Sequence, residues 1–431
     1  MPVSNRDRTS ERRASALQPY WQSECGRAVV YVGDCRDVMS RASESQFHAI
    51  VTDPPYGLEF MGKEWDAPWK NNAGFNGSQS EDTTGRGSWQ FGGTPSSKAR
   101  PCYGSNSKRY QEWFQDCAEV MLRVAKPGAH LLSFGGTRMW HRAACAVEDA
   151  GWEIRDTIMW VYGSGFPKGC DIGKAVDQIM GAERTKIGTR RLSSAFGGNL
   201  KAANIGTGGY GFKDSWETSE PATEAGAYWD GWNTALKPAL EPIIVARKPF
   251  SGSAARNALE HGCGPINVGA CLVGDDGGTR AIAGSAPDYT GGRWPTNLIH
   301  DGGEEVLDLL RDGTDRIFYC AKISGSDRPH GKSNIHPTVK PLDLMRYLVR
   351  LVCLPGGVVL DPFMGSGSTG CAAVLEGMRF VGVEQSQEYA DIAVGRLKLA
   401  LAERRPEETP RAWSAPAPRT DGAPPPARRL H

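Results

Sequence analysis

No apolar run in this 431-residue chain reaches about 18 residues, so no membrane-spanning helix is expected. The opening segment Met1–Glu24 is polar and Arg-rich, with no apolar h-region, which argues against a secretory leader. Eleven cysteines are scattered without one C-x-x-C pair. That argues against a zinc ribbon, leaves no metal expected, and fits a reduced, cytoplasmic protein. The formal charge is only +1, so the bulk basicity of many nucleic-acid binders is missing. Any contact of that kind must come from a local basic surface. No internal repeat is visible.

What is present is a regular alternation of strands and helices, broken in the middle. Residues 1–24 and 403–431 read as disordered, the latter rich in Pro, Ala and Arg. Between them, Ala28–Val32 is an apolar strand leading to Gly33-Asp34-Cys35, and Phe47–Thr52 is a second strand running straight into Asp53. Apolar spacing predicts a helix over Tyr110–Val124, stopped at Lys126-Pro127-Gly128. Strand Ala129–Phe134, helix Thr137–Ala150 and strand Trp152–Tyr162 follow. Order returns after Arg316 with a helix over Pro341–Leu354, strand Val358–Leu360, helix Ser368–Glu376, strand Arg379–Val383 and helix Gln387–Ala402. The pattern predicts an α/β fold with a doubly wound, mostly parallel sheet.

The interruption, residues 166–315, is dense in Gly and reads as an irregular insert, although the apolar strand Pro242–Ala246 is a candidate member of the main sheet. Phe166–Lys213 carries eight Lys/Arg against three Asp/Glu, and Asp214–Asp230 carries five acids and no base. The loop around Gly57–Ser107 is too long and polar for a compact connection, so it is either functional or mobile.

Two runs carry chemistry. In Asp361-Pro362-Phe363-Met364-Gly365-Ser366-Gly367, a strand turns into a helix through glycines that let a ligand approach the backbone at the helix N-terminus. About 20 residues on, a second strand ends in Glu384, an acid placed to accept from ribose hydroxyls. This half indicates an adenosine-containing cofactor; NAD is disfavoured because the turn reads F-x-G-S-G-S-T rather than G-x-G-x-x-G. Upstream, in His336-Pro337-Thr338-Val339-Lys340-Pro341, the prolines set the entry into a helix. Thr338 and Lys340 offer a hydroxyl and a cation suited to a ligand carboxylate. A bare helix lead-in is the plainer alternative.

The second run, Asp53-Pro54-Pro55-Tyr56, follows a strand and so sits at the edge where open α/β sheets bind ligands. An exocyclic amine of a nucleobase is a poor nucleophile because its lone pair is delocalised into the ring. The Asp53 carboxylate and the Pro54 carbonyl, each accepting one N–H, would draw that nitrogen toward tetrahedral geometry. Pro54 and Pro55 stiffen the turn, and the face of Tyr56 can stack on a base taken out of the duplex. The non-functional alternative is a rigid Pro-Pro turn with a helix cap.

With the two runs in this order, the chain resembles a β-class DNA amino-methyltransferase over roughly residues 25–165 and 316–402. In that class the catalytic motif comes first, then a target-recognition region, then the cofactor motifs, a circular permutation of the commoner order. The resemblance implies a Rossmann-like methyltransferase sheet with a catalytic half over 25–165 and a cofactor half over 316–402. It implies S-adenosylmethionine as cofactor, bound by Asp34, Thr338, Lys340, Asp361, Phe363, Gly365, Gly367 and Glu384. It further implies catalysis by Asp53, Pro54, Pro55 and Tyr56, double-stranded DNA as partner, a target-recognition role for 166–315, and a homodimer by class analogy. Gly33-Asp34-Cys35 matches the class's G-D-C element, which puts Asp34 near the cofactor's adenine, and Phe134-Gly135-Gly136 resembles the strand-end motif behind the catalytic site. The runs Trp160–Pro167, Gly292–Pro295 and Phe318–Lys322 resemble phage and prophage orphan methylases.

Within this resemblance the Asp of D-P-P-Y favours adenine N6, because cytosine-N4 members more often carry Ser there; cytosine N4 is the alternative. Cytosine-C5 chemistry needs a Pro-Cys nucleophile. Pro101-Cys102 lies in a Gly/Ser-rich loop, while the strand end already holds D-P-P-Y. Glutamine-N5 protein methylases place their Pro-Pro-Tyr turn after the cofactor motif, the reverse of the order here. A non-catalytic DNA-binding module that kept the fold is a further reading, set against the intact Asp53, Tyr56, Phe363 and Glu384. No nuclease pattern is present.

Overall fold

The computed structural model describes residues 17–57, 103–162, 169–191, 215–273, 292–301, 318–320 and 339–404. Edge strand β1 (Trp21–Gln22) pairs antiparallel with β2 (Ala28–Val32). Helix α1 (Cys35–Arg41) follows, capped by the Asp34 carboxylate, which accepts from the Arg36 N–H at 2.8 Å. Then come β3 (Phe47–Thr52), α2 (Tyr103–Val124), β4 (Ala125–Phe134), α3 (Trp140–Asp149) and β5 (Glu153–Val161). The middle holds α4 (Ile172–Ile179), β6 (Lys186–Arg191), β7 (Ser215–Ser219), α5 (Glu224–Tyr228), β8 (Leu240–Arg247), α6 (Ala254–His261), β9 (Leu298–His300) and β10 (Phe318–Tyr319). The last elements are α7 (Leu342–Val352), β11 (Val358–Asp361), α8 (Ser368–Leu375), β12 (Arg379–Glu384) and α9 (Gln387–Glu403).

One sheet runs β1-β2-β12-β11-β3-β4-β8-β5-β9-β10, and β6 pairs with β7 separately. Its pairings are parallel except at β1 and β8, and β8 runs antiparallel to both of its neighbours. The α/β, mostly parallel, doubly wound expectation holds. Alternate residues of the central strands feed two cores. Ala49, Val51, Leu132 and Phe134 face a core completed by α7, α8 and α9, while Ile50 and Leu131 face one completed by α1, α2 and α3. Burial on both faces is why these strands read as continuous apolar runs. The chain leaves β11 toward β12 and leaves β3 toward β4, so the switch point of the sheet lies between β11 and β3.

Three expectations change. Residues 17–24 are ordered: β1 closes the sheet edge, Trp21 packs on the core, and the Tyr20 hydroxyl donates to Asp391 Oδ1 at 2.6 Å. The 166–315 segment is not one insert, because β8, α6 and β9 belong to the main layer. Its remaining described part pairs α4 with α5 and β6 with β7. Finally, α2 begins at Tyr103, and Lys126-Pro127-Gly128 lies inside β4 rather than in a loop. There the register against β3 jumps between Phe47 and Ala49, and Gly128 takes φ +78, so the Pro-Gly pair forms a bulge. The polar 58–102 loop, Thr338, residues 1–16 and residues 405–431 lie outside the described residues.

Candidate active site

The end of β3 delivers Asp53 to the switch point, followed by buried Pro54 and half-buried Pro55 and Tyr56. The Tyr56 hydroxyl donates to Asp53 Oδ1 at 2.8 Å. Lys340 Nζ donates to Asp53 Oδ2 at 2.6 Å and to the Tyr56 oxygen at 3.2 Å, and it stands 4.7 Å from the centre of the Phe134 ring. Glu241 completes the cluster: its Oε2 lies 3.2 Å from both Lys340 Nζ and the Tyr56 hydroxyl. The three charged side chains are only 9% (Lys340), 19% (Asp53) and 17% (Glu241) exposed.

Burial pushes the Asp53 carboxyl up; Lys340 opposes the rise and Glu241 adds to it. Burial also disfavours the Lys340 cation, but the two carboxylates outweigh it and hold the ammonium above the usual lysine range. Tyr56, buried beside two carboxylates, stays protonated far above its ordinary value. Two glycines shape the turn. A Cβ at Gly136 would come within 3.0 Å of the Tyr56 ring, and one at Gly57, where φ is +70, within 2.7 Å of Tyr110.

On the neighbouring strand, Asp361 is fully buried at the tip of β11. The Thr52 hydroxyl donates to its Oδ1 at 2.6 Å, joining β3 to the turn after β11, and the Phe363 N–H donates to the same oxygen at 3.1 Å. Burial lifts the Asp361 carboxyl to about 7, and the nearby Asp53 adds to the rise. Gly365 and Gly367 adopt φ +52 and +81, values that favour glycine. The Gly365 N–H donates to Glu384 Oε2 at 2.8 Å and the Ser386 N–H to Oε1 at 2.9 Å. Buried Arg396 ties the turn down, donating to the Ser366 carbonyl at 2.6 Å and to the hydroxyls of Ser366 and Ser368 at 2.9 and 3.2 Å. The ring of Phe363 lies 5.7 Å from that of Trp113 on α2.

A cofactor with a ribose fits this donor set. Each Glu384 oxygen accepts one backbone N–H and keeps a lone pair for a hydroxyl. Asp34 stands at the tip of β2, next to β12, where the Gly33 N–H donates to the Glu384 carbonyl; its carboxylate holds Arg36 at 2.8 Å. Asp34, Asp361, Phe363, Gly365, Gly367 and Glu384 therefore line one edge of the sheet. Lys340 does not join them. Expected at the ligand carboxylate, it is instead neutralised by the protein's own Asp53 and Glu241, because a buried ammonium takes the nearest anions. Glu241 was missed by the sequence reading; its signal is a single charge at the entry of the apolar strand Leu240–Arg247.

The Type II methyltransferase M.HindIII of Haemophilus influenzae is 26% identical to this chain over 381 residues, 86% of this chain and 95% of that protein. The DNA adenine methyltransferase YhdJ of Escherichia coli is 42% identical over 65 residues, 15% of this chain and 22% of that protein. Among solved structures, the cytosine-N4-specific PvuII DNA methyltransferase aligns over 88% of this chain and 89% of its own, with 13% identity and a TM-score of 0.43. The model of the N6/N4 DNA methylase family matches residues 47–395, a span that takes in the Asp53 turn, Glu241, Lys340 and the Gly365 turn. The chain belongs to that family of DNA methylases.

Proposed function

We propose that the protein methylates the N6 amine of adenine in duplex DNA at a specific site, with the base flipped out of the helix. The observation that carries the reading is the 2.6 Å bond from Thr52 to Asp361, which sets the amine-accepting turn beside the cofactor turn at the switch point. S-adenosylmethionine supplies an electrophilic methyl carbon on a sulfonium. Asp53 accepts one N–H of the target amine and the Pro54 carbonyl the other, so the nitrogen lone pair is freed. When bound, the sulfonium would give its methyl to that nitrogen and leave as a neutral thioether, with no covalent enzyme intermediate, and Asp53 would accept the surplus amine proton. Tyr56 stacks on the flipped base, and Glu384 and Asp34 hold the adenosine end. Asp at the head of D-P-P-Y favours adenine; cytosine N4 is the second reading, served by the same acceptors.

The segment between β5 and β8, whose stretch Phe166–Lys213 has eight Lys/Arg against three Asp/Glu, supplies phosphate contacts and part of target recognition. Among the described residues, no helix is long and apolar enough to cross a membrane. A homodimer is in keeping with the class. The test is mass spectrometry of nucleosides from unmethylated DNA incubated with the protein and S-adenosylmethionine. N6-methyladenine is expected. N4-methylcytosine would keep the mechanism and change the base, and no modified base would sink the reading.

A further inference from the structure

Asp53 has to accept an N–H from the target amine, yet both of its oxygens already have donors: Tyr56 on Oδ1 at 2.8 Å and Lys340 on Oδ2 at 2.6 Å. A buried ammonium at that distance is a strong competitor for the carboxylate. Each oxygen keeps a lone pair, but a carboxylate whose charge is already bound to an ammonium is a weaker acceptor for a neutral amine. Glu241 resolves the competition. Its Oε2 already lies 3.2 Å from each of the two groups that occupy Asp53.

The topology explains how Glu241 reaches them. Because β8 runs antiparallel to β4 and β5, its first residues lie at the edge where β3 and β4 end. Glu241 therefore enters the site from the start of β8, and the Phe134 ring of β4 flanks Lys340 at 4.7 Å. That ring gives the ammonium a surface to pivot on without losing contact.

We propose that Glu241, which already touches Lys340 and the Tyr56 hydroxyl, is a positioning residue that draws both away from Asp53 when the target amine docks, which restores the strength of Asp53 as an acceptor. The proposal rests on Asp53 being the amine acceptor. A carboxylate is needed at position 241 because only an anion competes with Asp53 for the ammonium. With Glu241 charged, the cluster of two carboxylates and one ammonium is net negative, the sign that stabilises the positive charge growing on the amine nitrogen. Lys340 is the second positioning residue: it keeps the two carboxylates from repelling each other while the site is empty.

The experiment is a double-mutant cycle of Glu241→Gln and Lys340→Met, with single-turnover methylation, KM for DNA and KM for S-adenosylmethionine measured for each protein. Glu241→Gln should slow the methyl-transfer step at least about tenfold with both KM values within about twofold of the parent. On the Lys340→Met background the same change should cost less than about twofold, since no ammonium remains to be drawn off Asp53. A merely structural glutamate would cost the same fold on both backgrounds, and that result, or parent-like turnover in Glu241→Gln, overturns the proposal.

Asp53→Ala, run in parallel, separates the two layers. If Asp53→Ala retains activity, the underlying reading fails. If it is dead while Glu241→Gln is unaffected, only this inference fails. A structure of the unmutated protein with target duplex and a non-reactive sulfonium analogue is independent of whether the variants fold. Lys340 should then lie closer to Glu241 than to Asp53, and retention of the 2.6 Å contact would overturn the proposal.

Discussion

The two turns at the switch point are built in opposite ways. At the cofactor turn the carboxylates are held by groups that cannot leave: backbone N–H donors on Glu384, and a backbone N–H with the Thr52 hydroxyl on Asp361. Arg396 reinforces that turn from beneath. At the Asp53 turn, the carboxylate is held by the ends of two side chains, an ammonium and a phenol, and Glu241 bonds both of those groups at 3.2 Å. One turn is assembled to keep its shape and the other to exchange partners. The sheet sets them side by side on adjacent strands.

The sharpest break of this contrast is Asp53→Ala. Methyl transfer measured with a radiolabelled donor should fall about a thousandfold or more, while donor affinity by calorimetry stays within a few-fold. Equal losses in both would mean the turns are not separable. Arg396→Met should act on the other side. It leaves Ser366 and Ser368 with unmatched buried groups and should lower unfolding stability by about 2–4 kcal/mol, read by thermal or chemical denaturation. Unchanged stability would remove the idea that Arg396 braces the turn.

Thr52→Val tests the bridge between them. Loss of one buried hydrogen bond should weaken donor binding by about 1–2 kcal/mol and also slow transfer, because the bond joins both turns. The smallest effect concerns pH. Burial raises the Asp361 carboxyl from an ordinary 3.8 to about 7, so the fold favours the protonated form. Stability from this group is full below about 3.8 and is lost as pH rises through about 7. Asp361→Asn cannot ionise, so its melting temperature relative to the parent should improve between pH 5 and pH 8. A constant difference across that range would argue against the raised value.

Strands β3, β11 and β12 and the turns that follow them were legible because their signals are local: apolar runs, then Asp-Pro after β3 and at the end of β11 and an acid at the end of β12. Helices α7, α8 and α9 followed from spacing and came within two residues of their observed ends. Strands β1 and β9, of two and three residues, are too short to carry any period. The meeting of Glu241 and Lys340 with Asp53 was not legible. Lys340 is 287 positions from Asp53, and Glu241 is 185 from Tyr56, so their contact is a product of sheet order. Nothing near Leu240 announces that the strand will insert backwards between β4 and β5. The lone acid at its entry was the available clue. The sequence marks Lys340 as a cation at a helix lead-in, but offers no means to choose its anion.

The pairing of β3 with β11 also governs how the molecule is made. Thr52 and Asp361 touch although they stand 309 positions apart, and β11 and β12 lie between β3 and β2. On the ribosome, the strand bearing Asp53 emerges long before its central neighbour exists. The middle of the sheet stays open until the late strands slide in, a high-contact-order step of the kind that slows folding. An unfinished chain therefore holds the Asp53 turn without the strand that brings Asp361 beside it. The Thr52–Asp361 bond can form only once those last strands dock.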